Sequence, residues 1–175
     1  MASTDLTTFT EPGSQTAAAD PIADLGAKYL TFTLADEEYG VAILKVREIM
    51  GLIEITHVPQ MPGYVKGVIN LRGKVIPVID LRLRFSLDEA AYTDETCIIV
   101  VDVGALVGII VDTVQEVADI PGRDIAPPPS FGASVDTAFL TGMGKVDEKV
   151  KILLDIDRIL SGEEAARISK AAAEL

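Results

Sequence analysis

Two stretches decide the reading of this chain: "GVAILKVREI" at Gly40–Ile49 and "GIIVDTVQEV" at Gly108–Val117. Their glycines (40 and 108) and glutamates (48 and 116) stand the same 68 residues apart, and the apolar positions between them match. Upstream, Leu30 and Phe32 fall on Ile98 and Val100 at that offset. Further on the offset becomes 75: Gly67 falls on Gly142, Val75 on Val150, and Ile79-Asp80-Leu81 on Leu154-Asp155-Ile156. The change is a seven-residue insertion in the loop that carries Pro127-Pro128-Pro129. Self-similarity at a fixed spacing is the signature of a duplicated structural unit.

Each unit is built from short strands. Leu30, Phe32 and Leu34 alternate with Thr31 and Thr33, the period-2 pattern of a half-buried strand. The run Cys97–Val103 is dominated by Val and Ile and predicts burial on both faces. Val46, Ile49 and Met50, at i, i+3 and i+4, predict a short helix through residues 44–50. Ser161-Gly162-Glu163-Glu164 fits a capping box ahead of an Ala-rich C-terminal helix over 161–174. The expected class is mainly β: two tandem SH3-like five-stranded β-barrels packed side by side, with short helices and the C-terminal helix. The first barrel spans about 28–90 and the second about 95–160. The first strand could pair with either half. Residues 1–26, rich in Ala, Thr, Ser, Asp, Pro and Gly without a period, read as a flexible tail ahead of a domain over 27–175.

Composition narrows the function. Hydrophobic residues make up 49% of the 175, ample for a packed core. Lys and Arg number 15 against 27 Asp and Glu, a net charge of −12, which disfavours nucleic acid and anionic membrane surfaces. The apolar runs are short and interrupted by charge, so no segment is expected to insert into a membrane. The N-terminus lacks the basic and apolar regions of a signal peptide, and a single cysteine, Cys97, agrees with a reducing cytoplasm.

Candidate chemistry is sparse. His57 is the only histidine, and without a Cys/His cluster no metal or cofactor is expected. Thr141-Gly142-Met143-Gly144-Lys145 resembles a phosphate loop only faintly, because Val146 stands where Ser or Thr is required. Asp80 and Asp155 could be paired carboxylates, but each ends an apolar strand ahead of a helical turn, where aspartate caps the turn. A small enzyme would need His57, Asp80 and Arg72 in one pocket. In "NLRGK", Gly73 suits a tight hairpin. Arg72 does not follow from turn geometry, and its counterpart in the repeat is the oppositely charged Asp147. Arg72 and Glu48 could pair with each other, face a partner, or be solvated.

Phe32-Thr33-Leu34, Glu38-Tyr39-Gly40-Val41, Ile43–Ile49, Gly67-Val68-Ile69-Asn70-Leu71-Arg72-Gly73 and Ile76-Pro77-Val78-Ile79-Asp80-Leu81-Arg82 together resemble the CheW family of chemotaxis coupling proteins. Val107–Asp112 and Phe139–Gly144 agree. The resemblance covers about 28–170. It implies a non-enzymatic, cytoplasmic scaffold, recruited to membrane receptor arrays, that joins methyl-accepting chemotaxis receptors to the regulatory domain of the histidine kinase CheA. Carried over by motif, Val46, Glu48, Ile49 and Arg72 belong to the receptor-facing surface. Tyr64, Lys66 and Gly67 belong to the kinase-facing surface, and Phe131 to a second, ring-closing kinase contact. A paralogue serving a non-chemotactic chemosensory pathway would use the same surfaces.

Overall fold

The computed structural model describes residues 27–128 and 137–173. The tail over 1–26, Pro129 and Phe131 lie outside the described residues. Within them the strands are β1 (Lys28–Leu34), β2 (Glu37–Ala42), β3 (Val46–Gly51), β4 (Val65–Leu71), β5 (Lys74–Asp80), β6 (Cys97–Asp102), β7 (Leu106–Val111), β8 (Thr113–Asp119), β9 (Ile125–Ala126), β10 (Leu140–Val146) and β11 (Lys149–Leu154). Helices are α1 (Leu81–Arg84), α2 (Ile156–Ile159) and α3 (Gly162–Ala173). The repeat is visible element by element: β1 to β5 and α1 of the first half recur as β6, β7, β8, β10, β11 and α2 of the second.

The two halves exchange strands. One sheet runs β8-β1-β2-β11-β10-β9 and the other β3-β6-β7-β5-β4, so each mixes both halves. β1 pairs antiparallel with β2 of its own half and with β8 of the other. Two parallel seams join the halves, β5 against β7 and β11 against β2. The boundary near residue 90 therefore divides the repeat, not the sheets. Neither sheet is a closed barrel, although the mainly β class holds. The second sheet curls toward closure: Thr56, in the segment after β3, exchanges both backbone hydrogen bonds with Val68 of β4 at 2.8 and 2.9 Å.

The expected helix at 44–50 is a correction. Ile43–Lys45 forms one 3-10 turn, and Val46–Gly51 is strand β3. A bulge at Arg47 explains the misleading spacing. Val46 opposes Val101 and Ile49 opposes Ile99, so both lie on one face, while Glu48 and Met50 oppose Val100 and Ile98 on the other. An extra residue in a strand places i and i+3 on the same side, which imitates a helix.

The core lies between the sheets. Leu30, Phe32, Leu34, Tyr39, Val41, Ile79, Ile99, Val101 and Ile109 are among its fully buried members. Each side chain of this size contributes about 1.5–3 kcal/mol relative to exposure. β6 is buried on both faces: Ile99 and Val101 enter the central core, and Ile98 and Val100 a second cluster inside the curled sheet. Thr31 departs from simple alternation because it is buried. Its hydroxyl donates to the Glu116 carbonyl at 2.8 Å and accepts from the Glu116 amide at 3.2 Å, filling the bulge where β1 meets β8. Phe32, Tyr39, Phe85 and Phe139 form a ladder with centroids 5.5–6.0 Å apart that runs from the first half into the second.

The expected caps are present. Asp80 accepts the Arg82 amide ahead of α1, and Asp155 accepts the Asp157 amide ahead of α2. Ser161 and Glu164 make the reciprocal pair of the capping box at the start of α3, both at 3.1 Å. Ser161→Ala is expected to lower stability by about 1 kcal/mol, read as an earlier urea midpoint with an unchanged slope.

Candidate functional site

The hairpin of β4 and β5 turns at Arg72 and Gly73, with φ of +51° and +87°. Both central residues are left-handed, as the tight hairpin turn that matches strand twist requires. The Asn70 side chain accepts the Gly73 amide at 2.9 Å and locks the turn. In the second half Asp147 and Glu148 occupy the same turn with φ of +48° and +67°. Glycine is therefore favoured there but not obligatory, and the charge at the tip is free to differ between the halves.

The curl of the sheet brings this tip across to β3. The Arg72 guanidinium grips both carboxylate oxygens of Glu48, with Nη1 3.4 Å from Oε2 and a closer contact from Nη2 to Oε1. That bond lowers the Glu48 carboxyl from its ordinary range and raises the Arg72 guanidinium. The pair remains open to solvent, with the Arg72 side chain 72% exposed and Glu48 30%. Beside it runs an open groove of about 470 Å³ lined by Arg47, Lys74, Leu71, Leu106 and Asp102. Arg47 donates to Asp102 at 2.9 Å. Three cations and two carboxylates thus surround a small apolar floor. The equivalent surface of the second half is lined by Glu38, Glu116, Asp147, Lys149 and Lys151.

Of the four expected receptor-facing residues, Glu48 and Arg72 are brought together. Val46 and Ile49 lie on the opposite face of β3, where Ile49 is 45% exposed and Val46 packs on the central core. As β3 is a sheet edge, its two faces meet along that edge.

Tyr64, Lys66 and Gly67 cluster at the far end of the same hairpin, roughly 20 Å from Arg72 along six residues of β5. The Tyr64 carbonyl accepts the Asp80 amide at 2.9 Å. The Tyr64 ring stacks on Arg84, whose guanidinium carbon lies 4.6 Å from the centroids of both Tyr64 and Phe139. Lys66 donates to Glu89 at 3.3 Å. Gly67 has a local reason of its own. Its φ is +144°, and a Cβ there would stand 2.0 Å from the Thr56 carbonyl oxygen.

His57, Asp80 and Arg72 do not converge. His57 is exposed on the segment after β3. Asp80 is 1% exposed and saturated by the Arg82 amide and the Tyr92 hydroxyl. Thr141–Lys145 lies within β10, not in a loop between strand and helix.

A polar network with no local signature in the sequence ties the halves together. Arg82 makes a bidentate pair with Asp112 at 2.9 and 2.6 Å, and Asp112 also accepts the Ala35 amide at 3.0 Å. Partial burial pushes the Asp112 carboxyl up, but the Arg82 and Ala35 bonds outweigh it and the net shift is downward. In the second half Lys151 is buried against Glu38, where the first half has Ile76 in the core. The bond from Lys151 holds Glu38 below its ordinary range. Burial and the Asp80 bond raise the Tyr92 hydroxyl far above the usual tyrosine range.

The sign of the acid response follows. Carboxyls lowered in the folded state stabilise it above their unfolded values, near 4.5 for Glu and 3.8 for Asp. That stability disappears as pH falls below those values. Melting temperature is therefore expected to be flat from neutrality to about pH 5 and to fall below about pH 4. Asp112→Asn should make that fall shallower; an unaltered acid slope would remove Asp112 from the account.

A duplicated, strand-exchanged β protein whose buried polar groups are spent on caps and seams, and whose exposed charges gather at hairpin ends, has the make-up of a docking module. Its family is equally definite: a family model described as the CheW-like domain matches residues 28–164, and the chain belongs to that family. It is 42% identical over 149 residues to a chemotaxis protein CheW of Klebsiella aerogenes, covering 85% of this chain and 90% of that one. It is 35% identical to the chemotaxis protein CheW of Rhizobium meliloti, covering 85% and 97%. Among solved structures, the scaffolding protein TtCheW from Thermoanaerobacter tengcongensis superposes with a TM-score of 0.74 at 39% identity, over 79% of this chain and 97% of that one. No helix among the described residues is long and apolar enough to cross a membrane.

Proposed function

We propose that the chain is a non-enzymatic coupling adaptor that joins the cytoplasmic tip of methyl-accepting chemotaxis receptors to the regulatory domain of the histidine kinase CheA. The observation that carries this reading is the exposed Glu48–Arg72 pair beside a charged groove, built at a position where the repeat itself calls for no arginine. The groove of Glu48 and Arg72, with Ile49 and Val46 across the β3 edge, faces the receptor. Tyr64, Lys66 and Gly67, at the other end of the hairpin, face the kinase, and Phe131 makes the ring-closing kinase contact. A single rigid hairpin then carries both surfaces, which suits a part that transmits how the kinase is held and breaks no bonds. Small apolar patches rimmed by charge suit contacts of moderate strength. The adaptor works at the cytoplasmic face of the membrane, held there by its partners.

The test is reconstitution. Receptor-containing membranes, CheA and this chain are sedimented together and kinase activity is measured. The expected result is co-sedimentation of all three and receptor-dependent kinase activity only when the chain is present. Equal coupling in its absence would end the proposal.

A further inference from the structure

We propose that Tyr92 and Glu89, on the connector between the two repeats, are positioning residues for the Lys66 ammonium group. The proposal deepens the adaptor reading and rests on its assignment of Lys66 to the kinase contact.

Lys66 stands on β4 with its ammonium 3.3 Å from a Glu89 carboxylate oxygen and 5.8 Å from the centroid of the Tyr92 ring. Both partners come from the connector between α1 and β6. That connector is pinned to the fold on each side of Glu89. Before it, Leu87 donates its amide to the Arg82 carbonyl at 2.7 Å, and Arg82 Nη1 donates to the Asp88 carbonyl at 3.0 Å. After it, the Tyr92 hydroxyl donates to Asp80 Oδ2 at 2.9 Å. Asp80 is buried, and its other oxygen caps α1, so the tyrosine is anchored to a carboxylate that the fold already holds in place.

Capping does not require this tyrosine. Asp155, the counterpart of Asp80, caps α2 in the same way and pairs its other oxygen with Arg158 at 3.3 Å. The counterpart of Lys66 is Thr141, which carries no charge. The lysine, the glutamate and the tyrosine therefore occur together only at the end of the molecule assigned to the kinase. A lysine side chain has many rotamers, and fixing it before docking removes an entropic penalty from binding. The aromatic face and the carboxylate both hold the ammonium in this way. The group so presented is a cation suited to an acidic side chain of the partner.

The test is a double-mutant cycle on the full chain, reading affinity for purified CheA, with receptor co-sedimentation as a control. Lys66→Ala is expected to weaken kinase binding. Tyr92→Ala is expected to weaken it about two- to five-fold, the factor an exposed cation–aromatic contact provides. The double variant should be no weaker than Lys66→Ala alone, because Tyr92 acts through Lys66. Tyr92→Phe, which keeps the ring and loses only the anchor to Asp80, should fall between wild type and Tyr92→Ala. If Tyr92→Ala fails to fold, the same cycle is run with Tyr92→Phe. Independent, multiplying effects of the two substitutions would overturn the positioning role while leaving Lys66 in the kinase contact. No effect of Lys66→Ala would overturn both the proposal and the assignment of Lys66 on which it rests.

Discussion

Arg72→Glu is expected to weaken receptor coupling severely while leaving the fold in place. The side chain is largely exposed, and its only partner among the described residues is Glu48, so removing the ion pair changes stability little. The melting temperature should stay close to that of the wild-type chain. Function responds differently. Reversal places two carboxylates where a carboxylate and a guanidinium stood, and adds a like-charge clash for any partner that had presented an acid to the groove. Such clashes act on specificity and encounter as well as on affinity. A loss of about tenfold or more in receptor co-sedimentation is expected. Kinase binding should be unaffected, because Tyr64 and Lys66, the proposed kinase contacts, lie at the far end of the β4–β5 hairpin. The charge-swapped chain, Arg72→Glu with Glu48→Arg, separates two roles for the arginine. Restored coupling would mean that Arg72 serves only to hold the hairpin tip against β3. Continued loss would mean that the partner reads the arginine itself, which is the expected result.

Gly67→Ala should damage the fold more than any single surface change. The residue sits at φ +144°, which side chains rarely adopt, and the added carbon would meet the Thr56 carbonyl oxygen at 2.0 Å and its carbon at 2.7 Å. Backbone cannot step aside as a flexible side chain can. The displaced group belongs to the Thr56–Val68 bridge that holds the curled sheet together. Strain and overpacking together place the expected loss at about 3–5 kcal/mol, a large part of the stability of a domain this size. Gly73→Ala is the control. It has positive φ but nothing within 4 Å of the added carbon, so about 1 kcal/mol is expected. Urea midpoints of the two variants measure the difference. Equal losses would show that conformation alone, not the approach of Thr56, makes glycine necessary at position 67.

Much of the architecture could be read from the chain because it is local. Strand and turn positions repeat with their residues, and aspartate before a helical turn or Ser-x-x-Glu before an Ala-rich run satisfies backbone groups within a few residues of itself. The candidate site was partly legible for the same reason: Arg72 stood out as the position where the two halves disagree in sign. The failures have two causes. A bulge at Arg47 put Val46 and Ile49 on one face, and spacing alone cannot distinguish that from a helix. Strand alternation reports which side chains are buried but not which strand lies alongside, so β1 could be recognised as a strand without its partner in β8.

The duplication, the mainly β class, the turns and the caps are legible in the chain, since these depend on neighbours a few residues away or on comparison of one half with the other. Folding alone settles the exchange of strands between halves, the pairing of Glu48 with Arg72 beside the groove, the Arg82–Asp112 seam, and the contacts of Glu89 and Tyr92 with Lys66. Each of these joins groups distant in the chain, from 23 residues for Lys66 and Glu89 to 113 for Tyr39 and Ile152 of the β2–β11 seam. Their contact exists because the central core holds the two sheets in one register, and no local pattern of residues encodes that register on its own.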